Sequence, residues 1–197
     1  AAGAAADEDN GDGSGASREW RLIFCRRPGM AGQVALGQVL RVLAPDWGYT
    51  MQDVRSFDFA AVLKTPPSDA AGGGRGSGLD PGGPACAALL DVYGTDVAEL
   101  FVVGTAPRAR RQGCARDLVL RAIAPGLADA GVRRLAVSVD EGDEPAAQLW
   151  SALGFAPLAP SEHRRLAWQL PTFGREASEG TVYYCLDLGR MRGQGQY

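Results

Sequence analysis

The sequence predicts an α/β (α+β) domain, a mixed and mostly antiparallel sheet flanked by helices. Two patterns carry that expectation. Short runs rich in branched and aromatic residues recur along the 197-residue chain with turn signals between them. Segments with apolar residues at helical spacing separate only some of those runs. The order reads strand, helix, a meander of strands, then helix, strand, helix, strand, strand. Antiparallel neighbours therefore come first and a helical crossover later, which is the signature of a mixed sheet.

The first strand is "WRLIFC" (Trp20–Cys25), closed by the turn signal Pro28-Gly29. "MAGQVALGQVLRVLA" follows as a helix with Met30, Val34, Leu36, Val39, Leu40 and Leu43 gathered toward one side, and Pro45 is expected to stop it. "FDFAAVLK" (57–64) and "ACAALLDVY" (85–93) read as antiparallel partners. Between them, residues 65–84 are so rich in glycine and proline that they read as a long hairpin loop, an insertion with no required function or a flap beside the substrate. "VAELFVVGT" (97–105) is the most strand-like stretch of all. "GCARDLVLRAIAPGLADAG" supplies a helix ending near Gly131, which Pro125 should kink. "RRLAVSVD" is a strand, "EPAAQLWSALG" a helix with Pro145 in its first turn, "FAPL" a short strand and "TVYYCLDL" the last.

Length supports one ordinary domain. Residues 18–190 are expected to form it, between an acidic, glycine-rich linker at 1–17 and a flexible tail at 191–197. The linker lacks the charged start and apolar centre of a signal peptide, and suggests a chain cut from something longer with a partner domain upstream. No run approaches the ~18 apolar residues of a membrane span. A net charge of -3 gives no reason to expect direct nucleic-acid binding. Cys25, Cys86, Cys114 and Cys185 lie far apart and His163 is the single histidine, so neither a metal site nor a disulfide framework is suggested. That usage fits a reducing compartment.

The chemistry concentrates at residues 104–115. A strand that runs through a tight loop into a helix start aims unpartnered N–H groups and the positive end of the helix dipole at one small space. That is an anion site. Gly113 permits close approach of a ligand to the main chain, Ala115 keeps the next exposed position small, and Arg108, Arg110 and Arg111 bring guanidinium groups that can fork onto phosphate. A solvated basic turn that merely starts a helix would account for the same residues. The loop lacks the Gly-Lys-Ser/Thr of a P-loop and the G-x-G-x-x-G of a dinucleotide fold.

"RRQGCA", Arg110 through Ala115, resembles the Q/R-x-x-G-x-G/A pyrophosphate loop of the GNAT superfamily of acetyl-CoA-dependent N-acetyltransferases. "LAVSVD" and "AAQLWSALGF" stand where that superfamily has its next strand and a helix ending in Gly-Phe. With Glu99 placed ahead of Gly113, "VAELFVVGTAPRARRQG" resembles the histone acetyltransferase branch. The wider stretch from Ala85 to Phe155 is similar to the acetyltransferase domain that follows PHD fingers in plant chromatin regulators. The resemblance implies a GNAT acyl-CoA N-acyltransferase fold, acetyl-CoA as cosubstrate without a metal, a protein lysine substrate such as a histone tail, an upstream PHD finger and a nuclear location. It implies Glu99 as the base and the Val103 N–H as oxyanion donor. Val103, Gly104 and Thr105 would bond the amide arm of coenzyme A, and Arg110, Arg111, Gln112, Gly113, Cys114, Ala115 and Arg116 would enclose its pyrophosphate.

A base is needed because a lysine amine at neutral pH is protonated, and reaching its nucleophilic form costs roughly 4–5 kcal/mol. Glu99 on a central strand could be tuned for that task by desolvation, and a solvent-facing or arginine-paired strand residue is its plain alternative. Trp150 stands where many small-molecule members have a tyrosine acid; it cannot give up that proton, and packing is the simpler role. His163 reads as part of a solvated helix face, Cys114 as a small loop residue without a paired base, and Tyr183, Tyr184 and Cys185 as packing. Two other functions stay open: a GNAT enzyme acting on a small amine or non-histone protein, and a chromatin-bound scaffold that keeps the fold without turnover.

Overall fold

The computed structural model describes residues 18–25, 28–64, 83–169 and 180–190. The expected linker at 1–17, the tail at 191–197 and the loop residues 65–82 lie outside them. Seven strands form one sheet in the order β1-β2-β3-β4-β5-β7-β6. They are β1 (Glu19–Phe24), β2 (Phe59–Lys64), β3 (Pro84–Tyr93), β4 (Val97–Thr105), β5 (Arg134–Asp140), β6 (Ala156–Pro157) and β7 (Thr181–Asp187). Only β4 and β5 run parallel, so the mixed, mostly antiparallel sheet is as expected. Pro84, expected in the loop, pairs with Lys64 and opens β3.

β2 and β3 read as nearly continuous apolar runs because both faces of the sheet are covered. Side chains alternate between two cores. Ala60, Val62, Ala87 and Leu89 meet Leu36, Val39 and Leu43 of α1 (Met30–Trp47) on one face. Ala61, Leu63, Ala88 and Leu90 meet Leu118, Ile123 and Leu127 on the other. A smaller cluster joins Val97, Ala136 and Tyr183 to Leu166 of α6 (Pro160–Gln169).

Two further details depart from expectation, and a third follows it. Pro45 does not stop α1, which runs on to Trp47. A proline in the last turn forfeits one backbone bond, and the terminator is Gly48, at φ 68°, whose N–H donates to the Ala44 carbonyl at 2.8 Å. A second helix, α2 (Met51–Ser56), was not expected. Its signal is Thr50-x-x-Asp53, a reciprocal capping box. The long helix is irregular where Pro125 stands: α3 (Cys114–Asp117) passes through a π turn (Leu118–Ile123) into α4 (Ala124–Asp129). The wider turn, with the Ala124 N–H bonded to the Val119 carbonyl, directly precedes the proline that can offer no N–H. α5 (Glu144–Ala152) begins as expected, with Asp143 accepting the Ala146 N–H at 3.1 Å and Pro145 in the first turn.

Candidate active site

β4 positions the site, and two features of its pairing matter. Against β3, the register shifts between Leu89 and Leu90: Leu89 faces Val102 and Leu90 faces Leu100, leaving Phe101 as an extra, bulged residue. Without the bulge Glu99 and Val103 would share a face. With it, Glu99 lies on the α1 and α6 side with Val97 and Val102, while Val103 packs with Leu100 on the other. Phe101 turns against Phe57, ring centroids 5.2 Å apart.

Against β5, pairing runs from Val97–Arg134 to Leu100–Val137 and stops there, although both strands continue. The sheet therefore opens between residues 101–105 and the end of β5. The Ala106 N–H donates to the Ala85 carbonyl at 2.9 Å, which fixes the alternation of the β3–β4 ladder. By that alternation Val102 and Gly104 bond to β3, and the main-chain groups of Val103 and Thr105 turn toward the opening. Of the three residues expected to present a strand edge, Gly104 is thus occupied otherwise. Its missing side chain admits α1: a Cβ there would stand 2.6 Å from Leu43 Cδ2 and 2.7 Å from Trp47 Cζ3. The Thr105 carbonyl accepts Arg110 Nε at 3.2 Å.

Beyond Thr105 a single turn of 3-10 helix (Pro107–Ala109) leads into the basic loop. Arg111, at φ 61°, and Gly113, at φ 74°, both take left-handed backbone just before α3. The first intrahelical bond runs from the Asp117 N–H to the Gly113 carbonyl at 2.9 Å, so the N–H groups of Cys114, Ala115 and Arg116 lack intrahelical acceptors. Arg110 reaches Asp46 at the end of α1, 2.8 Å away. Gln112 gives its side-chain amide to the Arg108 carbonyl at 2.9 Å. Arg18 joins β1 to the loop through Asp117 and the Gln112 carbonyl. Arg111 and Arg116 are exposed and make no ion pair among the described residues. Cys114 is buried, and desolvation raises its thiol pKa rather than the helix start lowering it. It can serve a ligand only through its main chain.

Glu99 is 2 % exposed, which removes the solvent-facing alternative. The Tyr93 hydroxyl lies 3.2 Å from Glu99 Oε2, and the Tyr183 hydroxyl bonds the same side chain. Burial first, and then the charge of Glu99, push both phenols well above their ordinary pKa, so they stay neutral donors. His163 is not on a solvated face: its ring stacks on Tyr183 with centroids 4.8 Å apart. Sequence reasoning missed both tyrosines as partners of Glu99. The available signal was position: Tyr93 ends the strand paired to β4, and Tyr183 pairs with Ser138 on the strand beyond. Trp150 does pack as expected, edge-on to Phe155 at 5.1 Å. Among the described residues no cluster of three or more His, Cys, Asp or Glu could hold a metal, and no helix is long and apolar enough to cross a membrane.

An opened sheet between parallel neighbours, followed by a helix start at the end of the inner strand, defines the class of fold. Solved structures similar to this chain include N-acetyltransferases. The ribosomal-protein-S18-alanine N-acetyltransferase of Escherichia coli matches with a TM-score of 0.54 at 17% identity, covering 92% of this chain and 99% of that one. Ard1 of Thermoplasma volcanium matches at 0.52 and 14%, covering 85% and 95%. A chain of the NatC complex bound to Gag peptide and CoA matches at 0.56 and 13%, covering 86% and 98%. The chain therefore has the GNAT acyltransferase fold. At these identities the likeness is one of fold. The sequence profile of the family described as Increased DNA methylation 1, C-terminal domain, matches residues 84–174, a span that opens with β3 and takes in β4, the basic loop and α6. No curated protein matches the sequence.

Proposed function

We propose that this protein is an acetyl-CoA-dependent N-acetyltransferase that modifies a protein lysine, with histone tails as substrate and the nucleus as its place of work. The observation that carries the reading is the end of β4–β5 pairing at Leu100–Val137, which turns the main chain of Val103 into a gap leading directly to the basic helix start. A cosubstrate with an amide arm and a pyrophosphate fits that sequence of donors. Val103 and Thr105 would bond the arm, the N–H groups of Cys114 to Arg116 with exposed Arg111 and Arg116 would hold the pyrophosphate, and Gly113 leaves their approach open.

The reaction then needs a proton removed from the attacking ammonium and charge stabilised on the thioester oxygen. Glu99 takes the proton through water, since its carboxylate is buried on the face away from the Val103 side chain. The free amine attacks the thioester carbon, the Val103 N–H stabilises the oxyanion, the C–S bond breaks, and the remaining extra proton on nitrogen passes through solvent to the departing thiolate, leaving the amide and the free thiol of coenzyme A. Trp150 gives no proton to that thiolate. The match to a family named for DNA methylation, together with the plant chromatin-regulator resemblance, supports the choice of histone. An upstream PHD finger in the full-length protein would supply the contact with chromatin.

A second reading has its own support. The S18-alanine N-acetyltransferase is named for an alanine of a protein, and the only amine an alanine can offer is its own α-amino group. An α-amino group, with a pKa near 8, also demands less of a base than lysine does. Transfer of label from acetyl-CoA to histone peptides with blocked N-termini, beside lysine-free peptides with free N-termini, separates the two. Labelling of the blocked peptides supports the lysine reading, and labelling confined to the free N-termini replaces it. Cofactor binding with no transfer to any amine would leave a scaffold. Glu99→Gln should keep the thermal midpoint and lose at least ~100-fold in kcat; unchanged turnover removes Glu99 as the base.

A further inference from the structure

Glu99 is the one charged residue buried among the described residues, and a buried carboxylate must be paired or hydrogen-bonded. Arg134, on the Glu99 face of β5, is engaged by Glu162 of α6 at 2.9 Å. Asp91, directly opposite Glu99 on β3, is a second carboxylate; it accepts the Asp58 N–H at 2.7 Å, while Asp58, ahead of β2, accepts the Val92 N–H at 3.0 Å. From β7 come Tyr183 and the neutral thiol of Cys185, and from α6 comes His163. Two phenols among the described residues meet the carboxylate, one from each side of β4: Tyr93 on β3 and Tyr183 on β7, beyond β5.

We infer that Tyr93 and Tyr183 are positioning residues that clamp Glu99 from both sides, and that His163 of α6 fixes Tyr183 in place by stacking. The clamp has a chemical consequence. Burial and the Asp91 charge favour the protonated acid, whereas two phenolic donors favour the carboxylate. The hydroxyls thus lower the pH above which Glu99 can accept a proton, and α6, through His163, bears on that shift. The catalytic part of this inference rests on the proposed function; the clamp itself does not.

The test uses the whole chain carrying Tyr93→Phe, Tyr183→Phe or both, each change deleting one oxygen and keeping the ring. The Glu99 carboxyl is followed by carbon-13 NMR across pH, its signal assigned by its loss in Glu99→Gln. Removing a donor to the charged form should raise the titration midpoint by about one pH unit for each tyrosine. His163→Leu should raise it by less, because both hydroxyls remain. In turnover, the acid limb of kcat/KM should move up by the same amount, with the plateau above it nearly kept. A midpoint unmoved in both single variants and in the double variant overturns the clamp. Failure of the proposed function would look different: the midpoint would move while transfer was absent, or while Glu99→Gln still turned over.

Discussion

At the scale of single residues, the basic loop rests on backbone that most side chains resist. Gly113 sits at φ 74° with nothing within 4 Å of where a Cβ would go, so Gly113→Ala meets no clash and costs only the left-handed conformation. That cost is about 1–2 kcal/mol. The chain can pay it as lost stability or relax the loop and disperse the N–H groups of Cys114 to Arg116. Calorimetric titration with coenzyme A should show affinity lower by about tenfold; unchanged affinity would mean that those groups do not hold the ligand. The arginines divide by their partners. Arg110 is tied to Asp46 and to the Thr105 carbonyl, whereas Arg111 and Arg116 stand exposed without an ion pair. Arg111→Ala with Arg116→Ala should therefore weaken coenzyme A several-fold at low salt and less at high salt, since screening already removes part of their effect. Arg110→Ala should act mainly on the α1 contact, an exposed pair worth less than about 1 kcal/mol.

At the scale of elements, the joint between α1 and β4 places the opening. Gly104 lets Leu43 and Trp47 approach the strand more closely than any Cβ would allow. Leu43 is fully buried and has little room to yield, while Trp47 is half exposed and can swing. Gly104→Ala should then lower stability by about 1–3 kcal/mol, read from denaturant midpoints, and shift the end of α1 away from the loop. A neutral outcome would mean that Trp47 alone absorbs the change. Much of this architecture was legible in the sequence. β4 and the helix start at Cys114 follow from an apolar run, a glycine and a change of period, and those signals are local. What escaped is not local. Six residues of α2 are too few for a period, although Thr50 and Asp53 carry its cap. The bulge at Phe101 is fixed by register against β3, and the union of Tyr93, Tyr183 and His163 around Glu99 by the order in which strands from distant parts of the chain were laid down. Periodicity assigns a residue to a face; it does not say what faces it.

At the scale of the whole molecule, the sheet is covered on both sides, and this seals thiols into the protein. Cys25 and Cys86 have no exposed surface, one in each core. Burial pushes the Cys25 thiol from an ordinary 9.0 up to about 12, with the charges of Asp91 and Asp58 adding to it. Burial likewise pushes Cys86 up to about 11, against a hydrogen bond from Thr105 that lowers it. A thiol whose folded pKa is raised favours the fold in its protonated form. The contribution is complete below pH 9.0, where both states keep the proton, and is lost as pH climbs toward 11 and 12, because the unfolded chain releases a proton that the native chain holds. Each such thiol steepens the loss by about 1.4 kcal/mol per pH unit in that window. Above about pH 10 the raised phenols of Tyr93 and Tyr183 act in the same direction. Urea midpoints should therefore vary little from neutral pH to pH 9.0 and then fall steeply toward pH 11. Cys25→Ala separates this from general alkaline damage. It should lower stability at neutral pH by opening a cavity, yet make the fall above pH 9.0 shallower by about one proton's worth of slope. An equally steep fall in that variant would show that Cys25 is not held neutral by the core, and that water reaches the α1 face of the sheet.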